Sequence, residues 1–285
     1  MEAFELVRLL VNKAVVPPTP RRRGNPGYGR LGAVRLLVYA RLAGLENDTR
    51  IVAHLARHRY AARALGFRQG VPDRTTVGRW WERYAGILKE VFDSLSGMVQ
   101  TLIPTRLLVV DSTPLVDLYD LEAEWGFTSR GAFRGFKLHT CVNQHSLPLR
   151  ALVTPGNRHD SPWLPSLVQD LEADYVVADA GYDSKANREA VEAIGAKPII
   201  ASNPRRGRRH RMGRKELLAL RKRYLAEQLH SLVKGPLLKG CWTRPRGLVK
   251  KAAAITAGLI GLNSIAVKAI LEDGKPLRTV SQYWA

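Results

Sequence analysis

At Arg106 the apolar residues of this chain change their period, and that switch constrains the fold more than any other feature. Before it, apolar side chains recur at helical spacing in Phe4 to Val11, Leu31 to Leu42 and Ile51 to Leu65, with VPPTPRRRGNPGYG as a flexible linker. After it, LLVVDSTP is a buried run ending in polar residues, while FKLHTCVN and LPLRALVTPG alternate about a turn at Gln144 to Ser146. YVVADAGYDS reads as a short buried strand ending at Asp179, and KPIIAS as another. SPWLPSLVQDLE and SKANREAVEAIG read as helices, the second stopped by Gly195, and a long helix is expected from about Lys215 to Lys234. The order β-β-β-α-β-α-β-α predicts a mixed α/β sheet with flanking helices over residues 105–285, preceded by an all-α region over 1–104.

Within the helical region, Pro72 and Asp73 precede a helix expected to start near Thr75 and to run through Trp80, Tyr84 and Val91. Two readings stand side by side. Arg74, Arg79 and Arg83 suit the second half of a helix-turn-helix over 72–92, and Trp80, Trp81 and Tyr84 equally suit the core of a helical bundle.

Charge narrows the partner. The chain has 45 Lys and Arg against 25 Asp and Glu, a net charge of +20. By segment, residues 1–104 carry 17 bases and 8 acids, 105–202 carry 9 and 13, 203–251 carry 16 and 2, and 252–285 carry 3 and 2. An acidic middle bracketed by basic blocks is expected where carboxylates work beside a phosphate backbone. At 45% hydrophobic the composition excludes a disordered chain. The two cysteines, Cys141 and Cys241, form no CxxC pair, which argues against a zinc ribbon. His54 and His58 stand four apart without further ligands and read as surface. The apolar run Ala252 to Val267 is Ala- and Gly-rich and broken by Asn263, so it is expected to pack against the N-terminal helices or a partner subunit, not to cross a membrane. The N-terminus lacks the features of a secretory signal, and a cytoplasmic protein is expected.

Three acids stand out. Asp111 and Asp179 each follow an expected strand, and neighbouring strands would bring both to one sheet edge, where open α/β sheets bind ligands. Glu227 lies in the expected long helix and is one of two acids among 16 bases in its segment. Three converging carboxylates suit Mg²⁺, which takes oxygen ligands and keeps water and substrate phosphate in its other positions. The plainer alternative is that Asp111 and Asp179 only close their strands with turn hydrogen bonds. Asp117, Asp120, Glu122 and Glu124 fall in a polar connection and are expected to be solvated.

Over most of its length the chain resembles the DDE transposases of insertion sequences, in the group whose third acid lies in a Tyr, Arg, Glu, Lys signature. Arg223, Glu227 and Lys234 keep that spacing, while Leu220 stands at the tyrosine position and Tyr224 lies one helical turn on. Further similarity runs through VVDSTP with Asp111, RGFKLHT with Lys137 and His139, TPGNRHDS with His159 and Asp160, and VADAGYDS with Asp179, Tyr182 and Asp183. The resemblance implies a ribonuclease H-like catalytic domain, two Mg²⁺ or Mn²⁺ ions held by Asp111, Asp179 and Glu227, and double-stranded DNA, both transposon ends and target, as substrate. It also implies a homodimer in the synaptic complex and association with the nucleoid. Arg223, Lys234, Tyr224, His159 and Lys137, with Arg74 and Arg79 in the N-terminal region, are the candidate DNA contacts; a structural hydrogen bond is an equal reading for His159. With 47 residues between Asp179 and Glu227, no long insertion domain is expected. Two other functions share these features: a DNA-binding relative without catalysis, and a metal-dependent nuclease that stops after hydrolysis.

Overall fold

The computed structural model describes residues 2–18, 28–128, 131–203, 212–238 and 244–275. Most of the arginine-rich stretch 204–215, the greater part of the linker before residue 28, and Cys241 lie outside them. In chain order the helices are α1 (Ala3–Leu10), α2 (Arg30–Leu42), α3 (Asp48–Arg57), α4 (Arg59–Leu65), α5 (Arg74–Arg83) and α6 (Ala85–Leu102). Then come β1 (Leu107–Val116), β2 (Glu124–Thr128), β3 (Gly131–Asn143), β4 (Pro148–Pro155), α7 (Leu164–Val168), β5 (Tyr175–Ala178), α8 (Lys185–Ala193) and β6 (Lys197–Ile200). The chain continues through α9 (Arg214–Leu220), α10 (Tyr224–Leu232) and α11 (Leu248–Asp273). These elements form two compact units: the described residues of Met1–Val99 with those of Leu232–Ala285, and Gln100–Ser231.

The first unit is helical and draws on both ends of the chain. Its core is built from the apolar stripes of α2, α3 and α4, where Leu36, Leu37, Leu42, Ile51, Leu55 and Leu65 are fully buried, and it is closed by α11 packed against α2, α5 and α1. That is the first of the two packings open for the C-terminal helix. By length and composition α11 resembles a membrane span, yet 78% of its apolar window is buried inside the protein. Its interrupting Asn263 is itself buried and donates from Nδ2 to Ser96 Oγ at 3.3 Å. The small residues of α11 serve close approach: a Cβ on Gly258 would sit 3.0 Å from Leu237 Cδ2.

Both helices expected to be continuous here are interrupted. The 51–65 stretch breaks at His58 (φ −103°, ψ 69°) and the helix begun at Arg74 breaks at Tyr84 (φ −110°, ψ 13°). The second bend lets the aromatic face of α5, with Trp80, Trp81 and Tyr84, and the Leu88, Val91, Phe92, Leu95 face of α6 enter the interior together. Helical periodicity is unchanged across such a break, so it leaves no trace in the sequence pattern. Asp73 caps α5 by accepting from Thr76 N at 2.9 Å, and Asn47 caps α3 by accepting from Arg50 N at 2.9 Å. Arg74, Arg79 and Arg83 are solvent-exposed, so α5 carries an aromatic core face and a basic outer face at once.

The second unit is a six-stranded sheet in the order β2-β3-β1-β5-β6, with β4 alongside the later part of β3. β1, β3 and β4 form an antiparallel meander, and β5 and β6 continue the sheet parallel to β1. This is the mixed sheet with flanking helices expected for the second part of the chain. Helices cover both faces: His139 of β3 approaches Trp163 before α7, while the adjacent Thr140, pointing the other way, bonds His230 of α10.

Three expectations are corrected. The meander has a fourth strand, β2, in the stretch read as a polar connection; it is an edge strand with Trp125 and Phe127 exposed, so it lacks the inward apolar pattern that marks a strand. Asp117 and Asp120 are buried, not solvated, because they fold the turn itself: they accept from Tyr119 N at 3.1 Å and Glu122 N at 3.0 Å. The Arg134 guanidinium ties the same turn down through the carbonyls of Leu118, Asp120 and Ala123. The helix expected over 215–234 is divided into α9, a tight turn at Arg221–Arg223, α10, and a wide π turn at Val233–Leu237. Pro236 explains the last of these, since it supplies no backbone N–H and clashes with the preceding turn.

β3 exchanges β2 for β4 at Gly135, whose carbonyl accepts from Gly156 N at 2.9 Å. A Cβ at Gly135 would run into the Leu115 carbonyl. Gly135→Ala should therefore lower stability by about 3 kcal/mol in urea unfolding; a loss well under about 1 kcal/mol would mean the crossing relaxes freely.

Candidate active site

β1 and β5 run parallel and adjacent, with Val110 opposite Ala178, so the next residue on each is an aspartate. Asp111 does not end its strand as expected, since β1 continues to Val116 against β3. It stands instead where β5 stops, beside the crevice at the carboxyl end of the parallel strands. Asp179 turns the chain there, its Oδ1 accepting from Gly181 N at 2.8 Å at the head of a 3₁₀ turn. Asp111 is buried, whereas 37% of the Asp179 side chain is exposed, so the pair is open to solvent on one side only.

The third acid arrives on α10. Asp111 pairs directly across the sheet with Thr140, so the two side chains share a face. Thr140 Oγ1 is 2.9 Å from His230 Nε2, and Ser146 Oγ donates to Gln228 Oε1 at 2.9 Å, which fixes α10 over that face. Glu227 lies one helical turn before His230 and is therefore on the same side of the helix. It is exposed and makes no ion pair or hydrogen bond among the described residues.

Arg223 sits against both aspartates, its Nη2 3.9 Å from Asp111 Oδ1 and 3.7 Å from Asp179 Oδ2. Burial pushes the Asp111 carboxyl up to about 6; Arg223 and the Ser112 backbone amide oppose that, and the negative charges of Asp179 and Glu227 add to it. Glu227 thus contributes to the potential at Asp111. Among the described residues no three His, Cys, Asp or Glu side chains are gathered closely enough to ligate a metal ion. The geometry accordingly comprises an adjacent aspartate pair, a guanidinium neutralising it, and a glutamate that acts on it through its field.

The remaining candidate residues divide. Tyr224, half exposed, directly follows Arg223 at the head of α10, while Leu220 ends α9. His159 is exposed in the loop after β4. Lys137 is buried and committed, donating to Asp160 Oδ1 and the Arg158 carbonyl, both at 2.9 Å. Lys234 is not on the helix of Glu227 but in the π turn that follows it, and belongs to the first unit with Arg74 and Arg79.

The sequence motifs held Lys137, His139, Asp160 and Tyr182 separately, and only the structure joins them into a cluster around Asp160. His139 is fully buried, its Nε2 2.9 Å from Thr154 Oγ1 and its Nδ1 3.8 Å from Asp160 Oδ1. Tyr182 is buried nearby, and its hydroxyl is pushed well above the usual tyrosine range by burial and by the charges of Asp160, Asp111 and Asp179. Besides the motif resemblance, a second signal lay in polar residues at alternate positions of an otherwise buried strand, Lys137 and His139 in β3.

Comparison with known proteins bears on both units. A family model described as Transposase DDE domain matches residues 103–263, and one described as Transposase domain (DUF772) matches residues 3–83. A transposase for insertion sequence element IS1106 of Neisseria meningitidis serogroup B is 35% identical over 72 residues, 25% of each chain. A protein of Brucella ovis named for insertion sequence element IS6501 is 37% identical over 76 residues, 24% of this chain and 58% of its own. The chain therefore spans about a quarter and somewhat over half of these two relatives. A solved structure, the piggyBac transposase synaptic complex with hairpin DNA, aligns over 99% of this chain and 75% of its own at 8% identity and a TM-score of 0.43, too slight a likeness to carry an argument.

Proposed function

Since this chain belongs to the DDE transposase family, we propose that it is an insertion-sequence transposase that binds double-stranded terminal repeats and catalyses phosphodiester hydrolysis followed by DNA strand transfer. The observation that carries this reading is the placement of Asp111 and Asp179 side by side on parallel strands, beneath the helix that bears Glu227. The donor chemistry fits Mg²⁺ or Mn²⁺: the three groups offer only hard oxygens, and the Asp111 carboxylate, disfavoured chiefly by its burial with Asp179 and Glu227 adding to that, is a charge that a bound cation would stabilise. Asp111, Asp179 and Glu227 would hold the metal, two ions in the family's mechanism, which supply the charge that activates the attacking oxygen and stabilises the leaving one.

The protein's own groups perform the rest. Arg223 presents a guanidinium at the carboxylate edge, where it can exchange an aspartate for a non-bridging phosphate oxygen and so position the strand. Tyr224 is exposed beside it and offers a hydroxyl to the same backbone, in the role left vacant by Leu220. His159, on its exposed loop, is a further phosphate contact. Lys137 acts by holding Asp160 and the 158–160 loop in place and does not reach the DNA itself. Hydrolysis frees a 3′ hydroxyl at the element's end, and that hydroxyl then replaces water as the attacking group on target DNA. One phosphodiester is exchanged for another, so no external energy source is required. A homodimer acting on paired ends, in the cytoplasm and at the nucleoid, completes the reading.

Incubation of the protein with a labelled terminal-repeat duplex, a target plasmid and Mg²⁺ or Mn²⁺ tests it. Joined products are expected. Nicks without joining would leave a nuclease, and binding without any product would leave a DNA-binding relative.

A further inference from the structure

The helical unit contains a cleft of about 790 Å³ that the carboxylate site does not use. Its walls come from three helix beginnings: the first turns of α3 and α5, and the segment that leads into α11. Among the described residues, Arg50, Arg74, Arg79, Arg244, Arg246 and Lys250 line it, against only Glu46 and Asp48. Both acids are engaged locally, Glu46 with Arg50 at 3.1 Å and Asp48 with the indole N–H of Trp81 at 2.9 Å. Arg74, Arg79 and Arg244 are exposed and make no ion pair among the described residues. The positive ends of three helix dipoles add to this charge, so the cleft is a focus of positive potential.

The chemistry of the walls selects the ligand. A cleft that reads or stacks bases needs an exposed aromatic face. Among the described residues of this lining Trp81 is the only aromatic; it is 2% exposed, and the Arg41 guanidinium lies 4.9 Å from its ring centroid. What remains accessible is guanidinium, the Lys250 ammonium, which also pairs with Glu82 at 3.6 Å, and the Thr49 and Thr75 side chains, which suit phosphate oxygens.

We propose that this cleft binds the sugar–phosphate backbone of DNA as a second, sequence-indifferent contact, completed by the Arg244–Lys250 segment from the far end of the chain. The proposal rests on the reading of this protein as a DNA transposase. It makes the C-terminal segment part of the DNA grip and not only of the packing.

Fluorescence anisotropy on the full chain tests it, with a terminal-repeat duplex and a scrambled duplex of equal length titrated at several salt concentrations. Arg79→Ala and Arg244→Ala are each expected to weaken binding to both duplexes alike, by roughly tenfold, and to lower the slope of log affinity against log salt by about one. Arg244→Lys should recover most of the loss, and thermal melts of the variants should match the parent. Parental affinity and slope in both alanine variants would overturn the proposal, as would a loss confined to the terminal-repeat duplex, which would mean base readout. Inorganic phosphate and tripolyphosphate form the small-anion arm: saturable micromolar binding of either that leaves DNA affinity untouched would assign the cleft to a free anion instead. If the parent protein binds neither duplex, the transposase reading itself fails; if the parent binds and only the variants are silent, the cleft alone is refuted.

Discussion

Asp179→Asn is expected to abolish strand cleavage, by roughly a thousandfold or more, while leaving DNA affinity and thermal stability close to those of the parent. Asp111→Asn should behave alike, and the reason lies in how these acids are held. Burial and two neighbouring carboxylates raise the Asp111 carboxyl to about 6, so its negative charge is disfavoured in the fold. Removing that charge sacrifices the attraction of Arg223 at 3.9 Å but relieves the larger cost of burying it, together with repulsion from Asp179 and Glu227, so the substitution costs the fold no stability. An acid kept for structure behaves in the opposite way, losing stability first and activity only as a consequence. Glu227→Gln is the sharper variant: this exposed glutamate has no bonded partner among the described residues, so the fold has little to lose. A parent-like cleavage rate in Glu227→Gln would remove it from the chemistry and leave a two-aspartate site.

The second large effect concerns acid pH. His139 is fully buried, and its imidazole is lowered from 6.5 to about 4, first by burial and then by the Lys137 charge, with Asp160 opposing. The imidazole is therefore neutral in the folded state at a pH where the unfolded chain already takes up a proton. Above about 6.5 both states are neutral and the residue contributes no pH dependence. Between 6.5 and about 4 the unfolded state binds more protons, so stability falls as pH falls, by about 3 kcal/mol across the window. His139→Gln keeps a partner for Thr154 and removes the titration, so its stability should be flatter over that range in urea unfolding at stepped pH. Asp111 titrates with the opposite sign, because its folded value is raised, and the difference between parent and variant isolates His139. Parallel pH profiles for the two proteins would show that His139 does not carry the effect.

The legible parts of the molecule were those in which local pattern and tertiary structure agree. The buried runs at 107–110 and 176–178 are apolar because both faces of those central strands are covered, and that burial is written directly in their composition. Ser184 and Gly195 bound α8 as their chemistry requires, the one accepting from Asn187 N at 3.1 Å and the other adopting φ +77°. β2 was illegible because an edge strand needs only one partner and tolerates exposed Trp125 and Phe127. The breaks at His58 and Tyr84 arise from packing several helices around one core, which no window of neighbouring residues contains. At the site, the adjacency of Asp111 and Asp179 followed from strand order, whereas the position of Arg223 between them depends on the turn that separates α9 from α10, where a continuous helix had been expected.

The helical unit takes its parts from both ends of the polypeptide, and this inverts the usual order of events during synthesis. Its first helices leave the ribosome well before α11, the element that closes them, and at ordinary elongation rates the wait is on the order of ten seconds. The sheet with its aspartates is continuous in sequence and has all its strands while the earlier helices still lack their lid. A translation product that stops short of Arg244 would carry Asp111, Asp179 and Glu227 without the residues that complete the basic cleft.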